Sequence, residues 1–337
     1  MALTGFYKLH RTDLEMQTVV LSLSGLSVSR ACLGTMTFGT QADERESVQI
    51  LDHAIDSGIN FIDTANIYGN GASEEILGRA LKGRRQQIVL ASKVCGRMDD
   101  GSHDSGLSRL AMQSALEHTL RRLQTDYLDI YYLHQPDYNV PLEESLETLE
   151  RMVQDGKVRL PGSSNFASWQ VCRMLSIAEK ENYRPARITQ SMYNLVARGV
   201  EQEYLPMAKD LGVAMIAYNP LAGGLLTGKH TASQPAEGSR FVGNQVYRDR
   251  YWNPVYLQAV DELADIALRA GRSLISIALG WLLHHTPTSC VVLGASRREQ
   301  LENNLVAFDE GPLSVDTVKE SDAIWERMRG CTPRYNR

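Results

Sequence analysis

The chain is poor in cysteine: Cys32, Cys95, Cys172, Cys290 and Cys331 are odd in number, scattered and without any C-x-x-C pair. That pattern suits reduced thiols in a cytoplasmic protein better than a disulfide framework or a zinc site. A basic tract is also lacking, as is any cluster that interleaves basic and aromatic residues. With a net charge of −5 and a pI of about 5.9, neither nucleic acid nor an anionic membrane is expected as a partner. Long apolar runs are missing too. The longest, Leu274 to Leu283, is too short for a bilayer, which needs about 20 residues. Met1 to Met16 has no apolar core of the signal-peptide kind. Finally, no Pro- or Ser-rich linker divides the 337 residues and no sequence repeat appears, so residues 1–337 read as one domain.

What the chain does have is a rhythm. Val19 to Arg30, around the turn signal Ser24-Gly25, reads as a hairpin. Ala31-Cys32-Leu33 follows as a short strand, and after it helices and strands alternate. Helical stripes are expected from about Asp43 to Gly58, from Ser73 as N-cap to Gly83, and along Met112, Leu116, Leu120 and Leu123. Others run from Pro141 to Val153, Trp169 to Glu181, Gln202 to Leu211, Pro254 to Ala270 and Ser273 to His284, with a turn or two from Arg298. Between them lie Phe61-Ile62, Ile88 to Lys93, Leu128 to Leu133, Val158 to Ser163, Arg187 to Gln190, Val213 to Tyr218 and Cys290 to Leu293. None of these strands alternates cleanly, as expected of strands buried on both faces. A doubly wound open sheet and a β/α barrel both produce such a pattern. The count of eight strands and the absent linker favour the (β/α)8 TIM barrel, with an N-terminal β-hairpin and extra helices before the eighth strand and at the C-terminus.

A barrel of this kind carries its chemistry at the carboxyl ends of its strands. Those ends are polar here. Asp63 closes the second strand and Lys93 the third; His134 follows the fourth, and Ser164-Asn165 the fifth. Gln190 ends the sixth, Tyr218-Asn219 the seventh, and Gly294-Ala295-Ser296 follow the eighth. Tyr68 lies in the loop five residues beyond Asp63. Converged, Asp63, Tyr68, Lys93 and His134 form a proton-delivering group. Asp63 would hold Lys93 charged, the ammonium would lower the Tyr68 pKa, and His134 would hydrogen-bond a substrate oxygen. The set contains no nucleophile and no electron source, so a carbonyl reduction would need a cofactor to bring the hydride.

Three other motifs lead nowhere or only part of the way. Gly223 to Lys229 has the G-x-x-x-x-G-K spacing of a P-loop, but His230 stands where Mg²⁺ binding needs Ser or Thr. An NTPase is therefore not expected, while backbone amides and a lysine holding some phosphate are. Gly69-Asn70-Gly71 is a turn and not a dinucleotide fingerprint, and His284-His285 has no acidic or cysteine partner nearby for a metal.

Gly58 to Leu81, Ala91-Ser92-Lys93, Tyr127 to Asp137, Gly156 to Phe166, Ala217 to Lys229 and Leu293 to Leu305 together resemble the aldo-keto reductase superfamily, in the branch near the bacterial and plant enzymes and the potassium-channel β subunits. The resemblance implies NADPH bound extended across the top of the barrel and reduction of aldehydes and ketones by an Asp, Tyr, Lys and His tetrad, here Asp63, Tyr68, Lys93 and His134. It implies that Ser164, Asn165 and Gln190 hold the carboxamide and that Tyr218 stacks on the nicotinamide, with Asn219 also touching cofactor. Leu221, Gly223, Lys229 and Arg240 would reach the pyrophosphate. Gly294, Ser296, Arg297, Gln300, Asn303 and Asn304 would contact the adenosine end. Many members place Arg where Gln300 stands, so Ser296 and Arg297 must grip the 2′-phosphate of NADP, and NAD use stays open. Pro161 interrupts the fifth strand, where an apolar run is usual, and is expected near its end. The substrate would be a small carbonyl compound walled by Met36, Phe38, Gln135 to Tyr138 and the loop Thr231 to Asn253, in a monomer or homo-oligomer. The alternative within the superfamily is a cofactor-binding regulatory subunit like the potassium-channel β subunits.

Overall fold

The computed structural model describes residues 16–98, 105–230 and 234–331. The first turn is the hairpin: β1 (Thr18–Val20) and β2 (Ser27–Ser29) pair antiparallel, with Gly25 in the left-handed region at φ 71°. Eight parallel strands follow: β3 (Ala31–Gly34), β4 (Phe61–Asp63), β5 (Val89–Val94), β6 (Leu128–Leu133), β7 (Val158–Ser164), β8 (Ile188–Met192), β9 (Ala214–Tyr218) and β10 (Cys290–Gly294). They close in sequence order, with β10 paired to both β9 and β3. The expected barrel is therefore present, and with it the hairpin that precedes it.

Helices α1 (Glu44–Asp56), α2 (Ala72–Ala80), α3 (Arg109–Leu123), α4 (Leu142–Gln154), α5 (Ser168–Glu181) and α6 (Tyr204–Asp210) each return the chain to the next strand. Between β9 and β10 come α7 (Gln245–Tyr251), α8 (Pro254–Arg269) and α9 (Leu274–His284); α10 (Arg298–Asp309) and α11 (Val315–Arg329) close the described chain. Caps mark several starts: the Asp43 carboxylate accepts from Glu46 N at 2.8 Å, and Ser273 Oγ from Ser276 N at 3.0 Å. No single described helix is long and apolar enough to cross a membrane.

Four local expectations are corrected. Ser73 does not cap α2; Gly71, at φ 95°, holds that place, and Ser73 is buried against Thr35 and Thr64. Pro161 sits in the middle of β7, opposite Tyr131, and not near the end. The missing N–H is tolerated because the β7–β8 ladder begins only at Ser163. The turn expected from Arg298 is a full helix, and α11 beyond it packs on α8 although its sequence is mostly polar. The long loop after β9 contains α7, whose Asn244 cap accepts from Tyr247 N at 3.3 Å; residues 231–233 of that expected pocket wall lie outside the described residues.

The barrel holds its own core, separate from the one under the helices. Cys32, Phe61, Tyr132, Ile188, Ile216 and Cys290 fill its interior, and Leu21 and Val28 from the hairpin seal it below. Tyr132 fits because β7 offers Gly162 beside it: a Cβ built there would lie 2.6 Å from Tyr132 Cδ1 and 3.1 Å from the Ile188 carbonyl. Gly162→Ala should therefore overpack the interior and cost about 1–3 kcal/mol. Denaturant unfolding beside the wild type checks this, and an unchanged midpoint would refute the steric account.

Candidate active site

Asp63 and Lys93 reach the top of the barrel interior from adjacent strands and are wholly buried, at 1% and 0% exposure. The Lys93 ammonium donates to Asp63 Oδ1, to the Thr64 carbonyl at 2.8 Å and to Tyr68 Oη at 3.2 Å. The other Asp63 oxygen accepts from Gln190 Nε2 at 2.9 Å. Tyr68 and His134 are half-buried above this layer, their rings edge to face with centroids 6.1 Å apart. The four residues expected to converge do so.

Burial and charge act on them in opposite senses. Burial alone would lower the Lys93 pKa, but the Asp63 carboxylate and the Tyr68 oxygen hold it above the usual lysine value, so the ammonium stays charged. Asp63 is raised by burial, with Lys93 and Gln190 pulling against the rise. Tyr68 is also raised, because burial outweighs the opposing pull of Lys93. The expected lowering of the phenol is therefore overturned; the resting site keeps it protonated. His134 is depressed to about 3 by burial and by repulsion from Lys93, which makes it a neutral ring at ordinary pH.

Around this centre, strand-end residues interlock. Asn165, at φ 62°, donates from Nδ2 to the His134 carbonyl at 2.8 Å and to Ser164 Oγ at 3.1 Å, and its Oδ1 accepts from Tyr218 Oη at 2.7 Å. Asn219 is left-handed at φ 57°; its carbonyl accepts from Asn194 Nδ2 at 2.9 Å, while its own Nδ2 is buried with no partner among the described residues. Gln190 and Asn165 thus touch the tetrad, Ser164 and Tyr218 join it through Asn165, and Asn219 follows Tyr218 on the chain. A cavity of about 390 Å³ lies between Pro136, Tyr138, Phe166 and Trp169, after β6 and at the start of α5, and no tetrad residue lines it.

The chain after β9 forms a cradle. Leu221 leads into it, and Gly223 and Gly224 follow at φ 70° and 106°, a run that side chains would strain. The Tyr247 ring covers Gly223, where a Cβ would lie 2.6 Å from Cδ1, and Tyr247 Oη accepts from Arg240 Nη1 at 3.3 Å. Arg240 also stands 3.4 Å from a Cβ built on Gly294, which joins this loop to the end of β10. Lys229 is lowered by burial and then by Arg240, so two cations share the cradle. Beyond β10, Gln300 Oε1 accepts from Ser296 N at 2.9 Å and lies 3.2 Å from Ser296 Oγ. Arg297 is exposed without an ion pair among the described residues; Asn303 is exposed and Asn304 buried on the same helix.

Sequence reasoning did not single out Tyr247 as part of this cradle, nor Asn194 as the brace of Asn219. The first lies on an unforeseen short helix; the second sits in a turn with no spacing signal. Among the described residues no group of three His, Cys, Asp or Glu side chains could hold a metal ion.

The Aldo/keto reductase family profile matches residues 30–326. The chain is 38% identical over 329 residues to the uncharacterized oxidoreductase YrpG of Bacillus subtilis, covering 94% of this chain and 98% of that protein. It is 36% identical over 326 residues to human aflatoxin B1 aldehyde reductase member 2, covering 90% and 89%. A probable voltage-gated potassium channel subunit beta of rice is 34% identical over 328 residues, covering 95% and 100%. With the closed barrel and this match along nearly all its length, the chain is a member of the aldo/keto reductase family.

Proposed function

We propose that the protein reduces aldehydes or ketones to alcohols with NADPH and that Tyr68 supplies the proton. The observation that carries this is the Tyr68 hydroxyl 3.2 Å from an ammonium that Asp63 keeps charged, beside a neutral His134 at the open end of the barrel. The left-handed glycines, and an Asn219 amide without a partner and Lys229 and Arg240 without an ion pair among the described residues, support a bound dinucleotide. Ser164, Asn165, Gln190, Tyr218 and Asn219 would hold its nicotinamide end. Leu221, Gly223, Lys229 and Arg240 would hold the pyrophosphate, and Gly294, Ser296, Arg297, Gln300, Asn303 and Asn304 the adenosine end. When bound, NADPH supplies the hydride that adds to the carbonyl carbon. His134 donates a hydrogen bond to the carbonyl oxygen and orients it. As negative charge builds on that oxygen, Tyr68 gives it the phenolic proton, and Lys93 stabilises the phenolate left behind. On this reading the partner is a small carbonyl compound and the scattered thiols suit the cytoplasm.

The rival reading, a cofactor-binding regulatory subunit, takes up NADPH without turnover; NADPH oxidation with simple aldehydes beside stoichiometric binding separates the two. Tyr68→Phe should keep NADPH bound, by fluorescence titration, and lower kcat by about 10²-fold or more. Near-normal kcat would mean that the proton comes from elsewhere. Because His134 is already neutral, kcat for reduction should stay level from about pH 5 to 9. A limb near the ordinary histidine value in the pH–rate profile would count against that assignment. Arg297→Ala should weaken NADPH far more than NADH, since a charge-assisted phosphate contact is worth about 1.5–3 kcal/mol. Equal losses in Kd for the two nucleotides would remove Arg297 from the 2′-phosphate site.

A further inference from the structure

Two adjacent polar residues at the start of α2, Ser73 and Glu74, are both 0% exposed. A buried carboxylate is costly unless its oxygens are filled, so the partners of Glu74 are informative. Its Oε1 accepts from Ser92 Oγ at 2.5 Å, and its Oε2 from Arg122 Nε at 2.8 Å and Thr119 Oγ1 at 3.4 Å. Ser92 is the neighbour of Lys93 on β5, facing out of the barrel where Lys93 faces in. Arg122 runs beneath the turn that follows Tyr68: a Cβ built on Gly71 would lie 2.9 Å from Arg122 Cδ. Ser73 Oγ lies 2.9 Å from both the Thr35 carbonyl and Thr64 Oγ1, which ties the same helical turn to the residue after Asp63.

The Tyr68 hydroxyl, by contrast, has one hydrogen bond among the described residues, to Lys93. The turn that carries it passes through three left-handed residues, Gly69, Asn70 and Gly71. Such a turn takes its place from whatever its far end is fastened to, and its far end is α2. We propose that Glu74, acting through Ser92 and Arg122, is the positioning residue that sets the Tyr68 hydroxyl against the Lys93 ammonium. The inference rests on Tyr68 being the proton donor.

The test is a double-mutant cycle in the full chain, with NADPH and one good aldehyde. Glu74→Gln and Ser92→Ala should each hold NADPH affinity and aldehyde KM within about twofold while kcat per NADPH-binding site falls about 10–100-fold, the scale of a remote misplacement. Added to Tyr68→Phe, either change should lower kcat by less than about twofold more, because its effect passes through the hydroxyl already removed. Losses that multiply in the double variants, or single variants with unchanged kcat, overturn the proposal. Should Glu74→Gln fail to fold, Ser92→Ala, which loses one hydroxyl, carries the same cycle. Retained turnover in Tyr68→Phe alone brings down the proton-donor reading and this inference together; a Tyr68→Phe slowed by about 10²-fold with multiplying losses in the double variants brings down only the inference.

Discussion

Everything at the top of this barrel depends on one buried ion pair, Lys93 with Asp63. Taking two charges out of water is unfavourable, and their attraction compensates only when the remaining lone pairs and protons are also satisfied. Here they are: the ammonium has the Thr64 carbonyl and the Tyr68 oxygen, and the carboxylate has the Gln190 amide. The pair therefore couples β4, β5 and β8, three strands far apart in sequence. Deleting one partner would leave the other charge buried and uncompensated, a loss of about 3–5 kcal/mol in general. Such an arrangement is a poor way to stabilise a fold and a good way to hold a charge in a dry place. Here the held charge lies beside the Tyr68 phenol.

The same pair sets the electrostatic character of its neighbours. It leaves Tyr68 protonated at rest, since burial outweighs the nearby ammonium, and it keeps His134 neutral by repulsion as well as by burial. One cation thus stands beside two half-buried rings that burial keeps uncharged, a protonated phenol and a neutral imidazole. The cradle after β9 has the reverse character. Its cations, Lys229 and Arg240, act on each other with no ion pair to a carboxylate among the described residues.

Much of this was legible beforehand because barrels write their chemistry at strand ends. Asp63, Lys93, His134 and Gln190 each close or follow a short apolar strand, and the eight-strand count turned scattered residues into one site. What stayed hidden was hidden for physical reasons. Ser73 has the side chain of a cap, but a buried hydroxyl needs partners, and Thr35 and Thr64 were nearer than the helix amides. The sign of the Tyr68 shift depends on how deeply the ring is buried, which spacing does not encode. Pro161 is tolerated in mid-strand through the staggered start of the β7–β8 ladder, a property of register and not of composition. The C-terminal helices were expected, whereas α7 carries too few apolar residues to announce itself and owes its form to a cap.

The hairpin beneath the barrel has a consequence for the traffic of protons. Leu21 and Val28 close the lower end, and a dry layer containing Phe61, Ile188 and Ile216 lies between them and the ion pair. Solvent can thus approach Tyr68, and through it the wholly buried Lys93, from one side only. On the proposed reduction, a proton leaving the phenol would be replaced through the same opening by which an alcohol would depart and a carbonyl arrive. Recharging the acid and exchanging the organic molecule would then be successive uses of one doorway, with no back route through the floor.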